Sequence, residues 1–163
     1  PPRSTLFPYT TLFRSESLDC PPIFVVVEPT NADCLFQSAV NGEPTVVHGD
    51  LDTVMAGLAC GEVSLLAWSI LKSYVPHFLS IQDDSISITM QFLANRDKPI
   101  VAGESAVAGL AGFLIACNDD NLKSKLMLNE NSRILFFGTE GDTDETMYEQ
   151  LVGRSSEKVM NGV

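Results

Sequence analysis

Three short segments carry the residue types from which a ligand site is made: Thr53 to Gly57, Gly103-Glu104-Ser105, and Gly138-Thr139-Glu140-Gly141-Asp142. Each follows an apolar run, and in open parallel sheets ligands collect at the carboxyl ends of the strands. Glycines let backbone approach a flat ligand, and the helix start after Glu104 offers unpaired N–H groups. Taken singly, each segment also matches an ordinary turn, because glycine at a helix or strand end is commonplace. The acidic run Glu140, Asp142, Asp144 and Glu145 has carboxylates of the kind a divalent cation takes. Its spacing is not that of an EF-hand loop, and a solvated acidic loop accounts for it, so no metal is assigned.

Other chemistries find no framework. Cys20, Cys34, Cys60 and Cys117 are widely spaced, and with His48 and His77 they give no zinc-ligand pattern. They read as reduced cysteines of a cytoplasmic protein. No Ser–His–Asp or Cys–His set is recognisable, nor a GxGxxG or P-loop glycine pattern. The formal net charge of −11 argues against a nucleic-acid partner, which needs clustered Lys and Arg. The longest apolar run, Ala106 to Cys117, falls short of the roughly 20 residues of a membrane span, and no signal peptide is expected.

Residues 1–15 stand apart. Thr5 to Ser15, TLFPYTTLFRS, is one translation frame of a common short-read sequencing adapter, so residues 1–15 are read as non-native and left out of the fold. Residues 16–155 are read as one α/β unit, the C-terminal portion of a catalytic domain, and 156–163 as a loose tail.

The elements that must position the three segments follow from periodicity. IFVVV at Ile23–Val27 reads as a buried strand. Thr30 or Asn31 then caps a helix with apolar positions from Ala32 to Val40. A short strand is expected at Thr45–Val47, a helix from a Ser64 cap to Tyr74, a strand at His77–Ile81 and a helix over Asp83–Asn95. Helices follow at Ala106–Cys117 and Asn118–Leu128, then a second buried strand, RILFF at Arg133–Phe137, and a helix at Glu145–Val152. Alternating strands and helices predict an α/β fold in three layers, a largely parallel sheet flanked by helices. Physical reading alone stops at an α/β domain with a ligand edge.

Together the segments resemble the fold-type II pyridoxal-phosphate enzymes, the group of threonine dehydratase and the tryptophan synthase β-subunit. Val26-Val27-Glu28-Pro29 resembles the family's VEP strand end, and Thr53 to Ala59 its T-x-A-D-G-x-A pattern, with Met55-Ala56 in place of Ala-Asp. Gly103 to Gly109 resembles its E-P-A-G-A helix start, and Gly138 to Asp142 its S-G-G-N loop. Gly49 to Glu62 and Thr139 to Asp144 are closer still to the diaminopropionate ammonia-lyase subfamily.

The resemblance implies elimination of ammonia from 2,3-diaminopropionate, with pyruvate and a second ammonia as products. It also implies pyridoxal 5'-phosphate as cofactor, a small amino-acid substrate and a homodimer. It places Thr139 against the pyridine nitrogen, Glu104 beside cofactor or substrate, Gly57 near the ring, and Gly138, Glu140 and Gly141 in the wall around the nitrogen. The family's Schiff-base lysine and glycine-rich phosphate loop precede the VEP strand and match nothing here, so this chain alone is expected to be inactive. A threonine or serine dehydratase-like enzyme, and a non-catalytic binding module with an acidic loop, are the alternatives.

Overall fold

The computed structural model describes residues 22–162. The adapter-like residues 1–15 lie outside them. Two parallel strands form the sheet, β1 (Val25–Pro29) and β2 (His77–Ile81), in register from Val25 opposite His77 to Pro29 opposite Ile81. Between them the chain makes α1 (Cys34–Asn41) and α2 (Leu65–Tyr74). After β2 come α3 (Asp84–Ala94), α4 (Ala108–Cys117), α5 (Asp120–Lys125), α6 (Glu145–Val152) and α7 (Ser156–Met160).

Alternation along the strands divides the core between two faces. Val26 and Phe78 turn toward Leu35 of α1 and toward Ala67 and Leu71 of α2. Val27 and Ile81 belong to the opposite side, with Ile86 and Met90 of α3 and Ala108 and Ala111 of α4. Helices on both faces of a parallel sheet make the three layers that the sequence predicts. Outside α3 lie α6 and α7, whose Tyr148 and Val159 complete that core. Ser87 and Gln91 of α3 donate to the Leu151 carbonyl, and Arg154 donates to the Ala94 carbonyl and to Asn95.

Several expectations are corrected. RILFF is not a strand but an exposed stretch, with Ile134, Leu135, Phe136 and Phe137 all open to solvent. A ladder needs a neighbour, and among the described residues the sheet has only β1 and β2. One side of the segment packs on α4, where Phe136 meets Phe113 edge-on at 5.6 Å between ring centroids. Thr45–Val47 is also not a strand, although the Val47 N–H reaches the Gly61 carbonyl at 2.8 Å. The tail expected to be loose forms α7, because Ser155 caps it and Val159 is buried.

Caps differ as well. Ser64 accepts the Ala67 N–H as predicted. Neither Thr30 nor Asn31 caps α1, since Thr30 donates to the Ile81 carbonyl and Asn31 to the Asp52 carbonyl. The first turn of α1 is held instead by Glu28, whose carboxylate accepts the Leu35 and Phe36 N–H groups at 3.2 and 2.8 Å.

Candidate active site

The three glycine-bearing segments meet. β1 and β2 end side by side, and the turns after them run toward the same edge. Gly57 lies at a short 3-10 turn, Ala56–Leu58. Its N–H donates to the Ser105 hydroxyl at 2.9 Å, across 48 residues of sequence. The Gly103 N–H donates to the Glu140 carbonyl at 3.2 Å. These two bonds tie the first loop to the second and the second to the third.

Close approach explains two of the glycines. A Cβ on Gly103 would overlap the Gly141 carbonyl oxygen and the Glu140 carboxylate. A Cβ on Gly57 would stand 2.9 Å from the Ser105 Oγ and 3.5 Å from the Glu140 Oε2. The Glu140 carboxylate therefore sits in a cleft between two glycine α-carbons. A Cβ at Gly138 or Gly141 would meet open space, so nothing in the packing demands glycine there.

Two carboxyl groups share this junction. Glu104 is buried at 8% exposure, and Glu140 is half-buried beside it. Burial and then the neighbouring Glu104 charge push the Glu140 carboxyl above its ordinary value, while the Ser105 N–H and hydroxyl draw it down. Glu104 and Glu140 thus face each other across the junction. Thr139, the residue before Glu140, is exposed.

Of the predicted site residues, the structure brings Gly57, Glu104, Glu140 and Gly141 together and places Gly138 and Thr139 on the adjoining exposed stretch. Lys72, Lys98, Lys123, Lys125 and Lys158 are all exposed and lie outside the three loops. Among the described residues, no three histidine, cysteine or acidic side chains converge as a metal site. Nor is any described helix long and apolar enough to cross a membrane. Sequence reading missed Ser105 as the anchor of Gly57, Glu28 as the holder of the first turn of α1, and Asp83 as the holder of the Thr53 to Gly57 loop. The glutamate of the VEP segment was a signal for Glu28. Asp83 reads from sequence only as the start of a helix.

A model of the family described as pyridoxal-phosphate dependent enzyme matches residues 10–139. The chain belongs to the pyridoxal-phosphate dependent enzymes. Within this family it is similar to the diaminopropionate ammonia-lyase of Escherichia coli K12, with 42% identity over 135 residues, 78% of this chain and 34% of that protein. The Salmonella typhimurium diaminopropionate ammonia-lyase is 38% identical over 146 residues, 83% of this chain and 36% of that protein. The chain thus spans about a third of the length of these curated relatives. The crystal structure of the Escherichia coli enzyme with an aminoacrylate-PLP azomethine reaction intermediate superposes with a TM-score of 0.69 at 36% identity, covering 78% of this chain and 33% of that one. Maize serine racemase superposes equally well, TM-score 0.69, over 89% of this chain and 43% of its own at 21% identity, a likeness of fold alone.

Proposed function

We propose that the chain is part of a lyase that eliminates ammonia from 2,3-diaminopropionate, giving pyruvate and ammonia. The convergence of the three loops in a chain 42% identical to a diaminopropionate ammonia-lyase carries this reading. The residues present fit one edge of a pyridoxal phosphate ring. An exposed hydroxyl, Thr139, stands next to Glu140, which neighbours Glu104, with open space over Gly138 and Gly141.

When bound, the cofactor supplies the electron sink for the elimination. Thr139 would hold the pyridine nitrogen through its hydroxyl and, unlike a carboxylate there, would not favour protonating it. A milder sink suits loss of a β-leaving group. Glu104 and Glu140 would stand at the ring's edge, with Ser105 holding Glu140 in place. Gly57 would let backbone pass close to the ring, and Gly138 and Gly141, each with open space beside it, would shape the wall around the nitrogen. The lysine that binds the cofactor and the loop that holds its phosphate come from other parts of a longer polypeptide, and this chain alone is inactive. The whole enzyme is a cytoplasmic homodimer of amino-acid catabolism acting on a small amino acid. The net charge of −11 supports the absence of a nucleic-acid partner.

The test is the enzyme expressed from the contiguous gene. Pyruvate released from diaminopropionate, with little oxobutyrate from threonine, supports the reading. The reverse preference assigns a dehydratase instead, and no product from either overturns lyase activity.

A further inference from the structure

Asp83 is the residue before α3, where an aspartate ordinarily turns its carboxylate onto the N–H groups of its own helix. Asp83 makes no such bond. Both of its oxygens reach back to a loop about thirty residues earlier in the chain. Oδ1 accepts the Thr53 hydroxyl at 2.7 Å, and Oδ2 accepts the Val54 N–H at 2.8 Å. The Thr53 oxygen in turn accepts the Met55 N–H at 3.1 Å, and Met55 is fully buried in the core. Gly57, two residues on, donates to Ser105, which holds Glu140.

The other flank of the loop is pinned by the end of β1. Asn31 donates to the Asp52 carbonyl at 2.7 Å, and Thr30 donates to the Ile81 carbonyl at 2.9 Å, two residues before Asp83. The ends of both strands therefore fix the loop, one through a side-chain amide and one through the Asp83 carboxylate. Of these anchors, Asp83 alone binds two successive residues of the loop, which fixes orientation as well as position.

We propose that Asp83 is a positioning residue: it sets where Thr53 to Gly57 lies, and through Gly57 the spacing of the edge shared with Ser105 and Glu140. The assignment of that edge to pyridoxal phosphate rests on the proposed function; the positioning rests on the hydrogen bonds alone. Asp83 touches no part of the edge itself. Its effect passes through the loop, so its removal loosens the loop without unfolding the sheet.

The experiment is residue-resolved amide hydrogen exchange on the 163-residue chain, comparing Asp83→Ala, Asp83→Asn and Thr53→Val with the wild type. Loss of the clamp speeds exchange at Met55 and Gly57 about tenfold or more in Asp83→Ala, while Leu79 and Met90 stay near wild type. Asp83→Asn keeps one acceptor oxygen and restores part of the protection, and Thr53→Val, a milder change, gives an intermediate effect. If Asp83→Ala fails to fold, the other two variants carry the comparison.

Uniform acceleration across all amides overturns the proposal in favour of general stabilisation. Unchanged exchange at Gly57 overturns it outright. In the enzyme from the contiguous gene, Asp83→Asn lowers kcat about tenfold with KM near wild type, because a misplaced edge costs orientation more than binding. A change in KM alone contradicts this. An enzyme inactive on diaminopropionate defeats the functional reading but leaves the exchange result standing.

Discussion

Replacing Gly103 with alanine tests whether the loops truly touch. The added methyl would fall on the Gly141 carbonyl oxygen and the Glu140 carboxylate, and 2.7 Å from the Glu140 Cγ. A carboxylate can rotate aside, but a backbone carbonyl moves only with its loop. Overpacking of this kind costs about 1–3 kcal/mol, and pushing the loops apart also loses the Gly103-to-Glu140 bond, about 1 kcal/mol. The sum is about 2–4 kcal/mol, and a chain of this size loses about 2–4 °C of Tm per kcal/mol. Circular-dichroism melting should therefore show Gly103→Ala about 4–16 °C below wild type. Gly138→Ala and Gly141→Ala, whose methyls enter open space, should stay within about 0.5 kcal/mol. A Gly103→Ala protein that melts with the wild type, or a larger loss at Gly138, refutes the convergence.

Glu28→Gln should destabilise the fold by about 1–3 kcal/mol, because the amide turns a donor onto one of the two N–H groups that the carboxylate accepts. Burial holds the Glu28 carboxyl above its ordinary 4.5, with Asp33 adding to the rise and the two N–H groups opposing it. The folded protein thus binds that proton more tightly than the unfolded chain. The stability it confers is complete below pH 4.5 and is lost as pH climbs through the raised folded value. Glu28→Gln should flatten the melting profile across that interval, and an unchanged slope would assign the pH dependence elsewhere. In reducing buffer, alkylation followed by mass spectrometry should mark Cys60 and Cys117 well before Cys34, whose thiol is pushed up to about 12, chiefly by burial. Equal labelling of Cys34 would contradict its burial. Leu135→Lys should lower light scattering of the concentrated chain, since RILFF exposes an extended apolar stretch. Unchanged scattering would place self-association on another surface.

Local chemistry made much of the fold legible. Pro76, closing the helix before it, set off His77–Ile81 as a new element, and the Ser64 cap marked α2 because its partner lies three residues away. Three features were not legible, for a common reason. RILFF has the composition of a strand, yet a strand is a relation between two segments, and composition names only one of them. The Leu35 and Phe36 N–H groups in the first turn of α1 are served by Glu28, seven and eight residues earlier, so the nearby Thr30 and Asn31 were the natural but wrong choice. Asp83 reads as the first residue of a helix and acts as a clamp across 29 and 30 residues. The tail was misjudged because one buried valine, Val159, outweighs the polar residues around it.

At the site, the order of the segments identified which loops matter, and family resemblance named their roles. Their meeting depends on contacts between positions such as 57 and 105, which no local pattern encodes.

The central claim is that the Thr139 hydroxyl faces the cofactor's pyridine nitrogen beside the Glu104–Glu140 pair. The direct measurement is kcat for pyruvate release, with the cofactor absorption spectrum, in the enzyme from the contiguous gene carrying Thr139→Val or Thr139→Ser. The account predicts a shifted spectrum and a kcat about tenfold lower or more for valine, with serine close to wild type. Valine and wild type alike in both spectrum and turnover would contradict it.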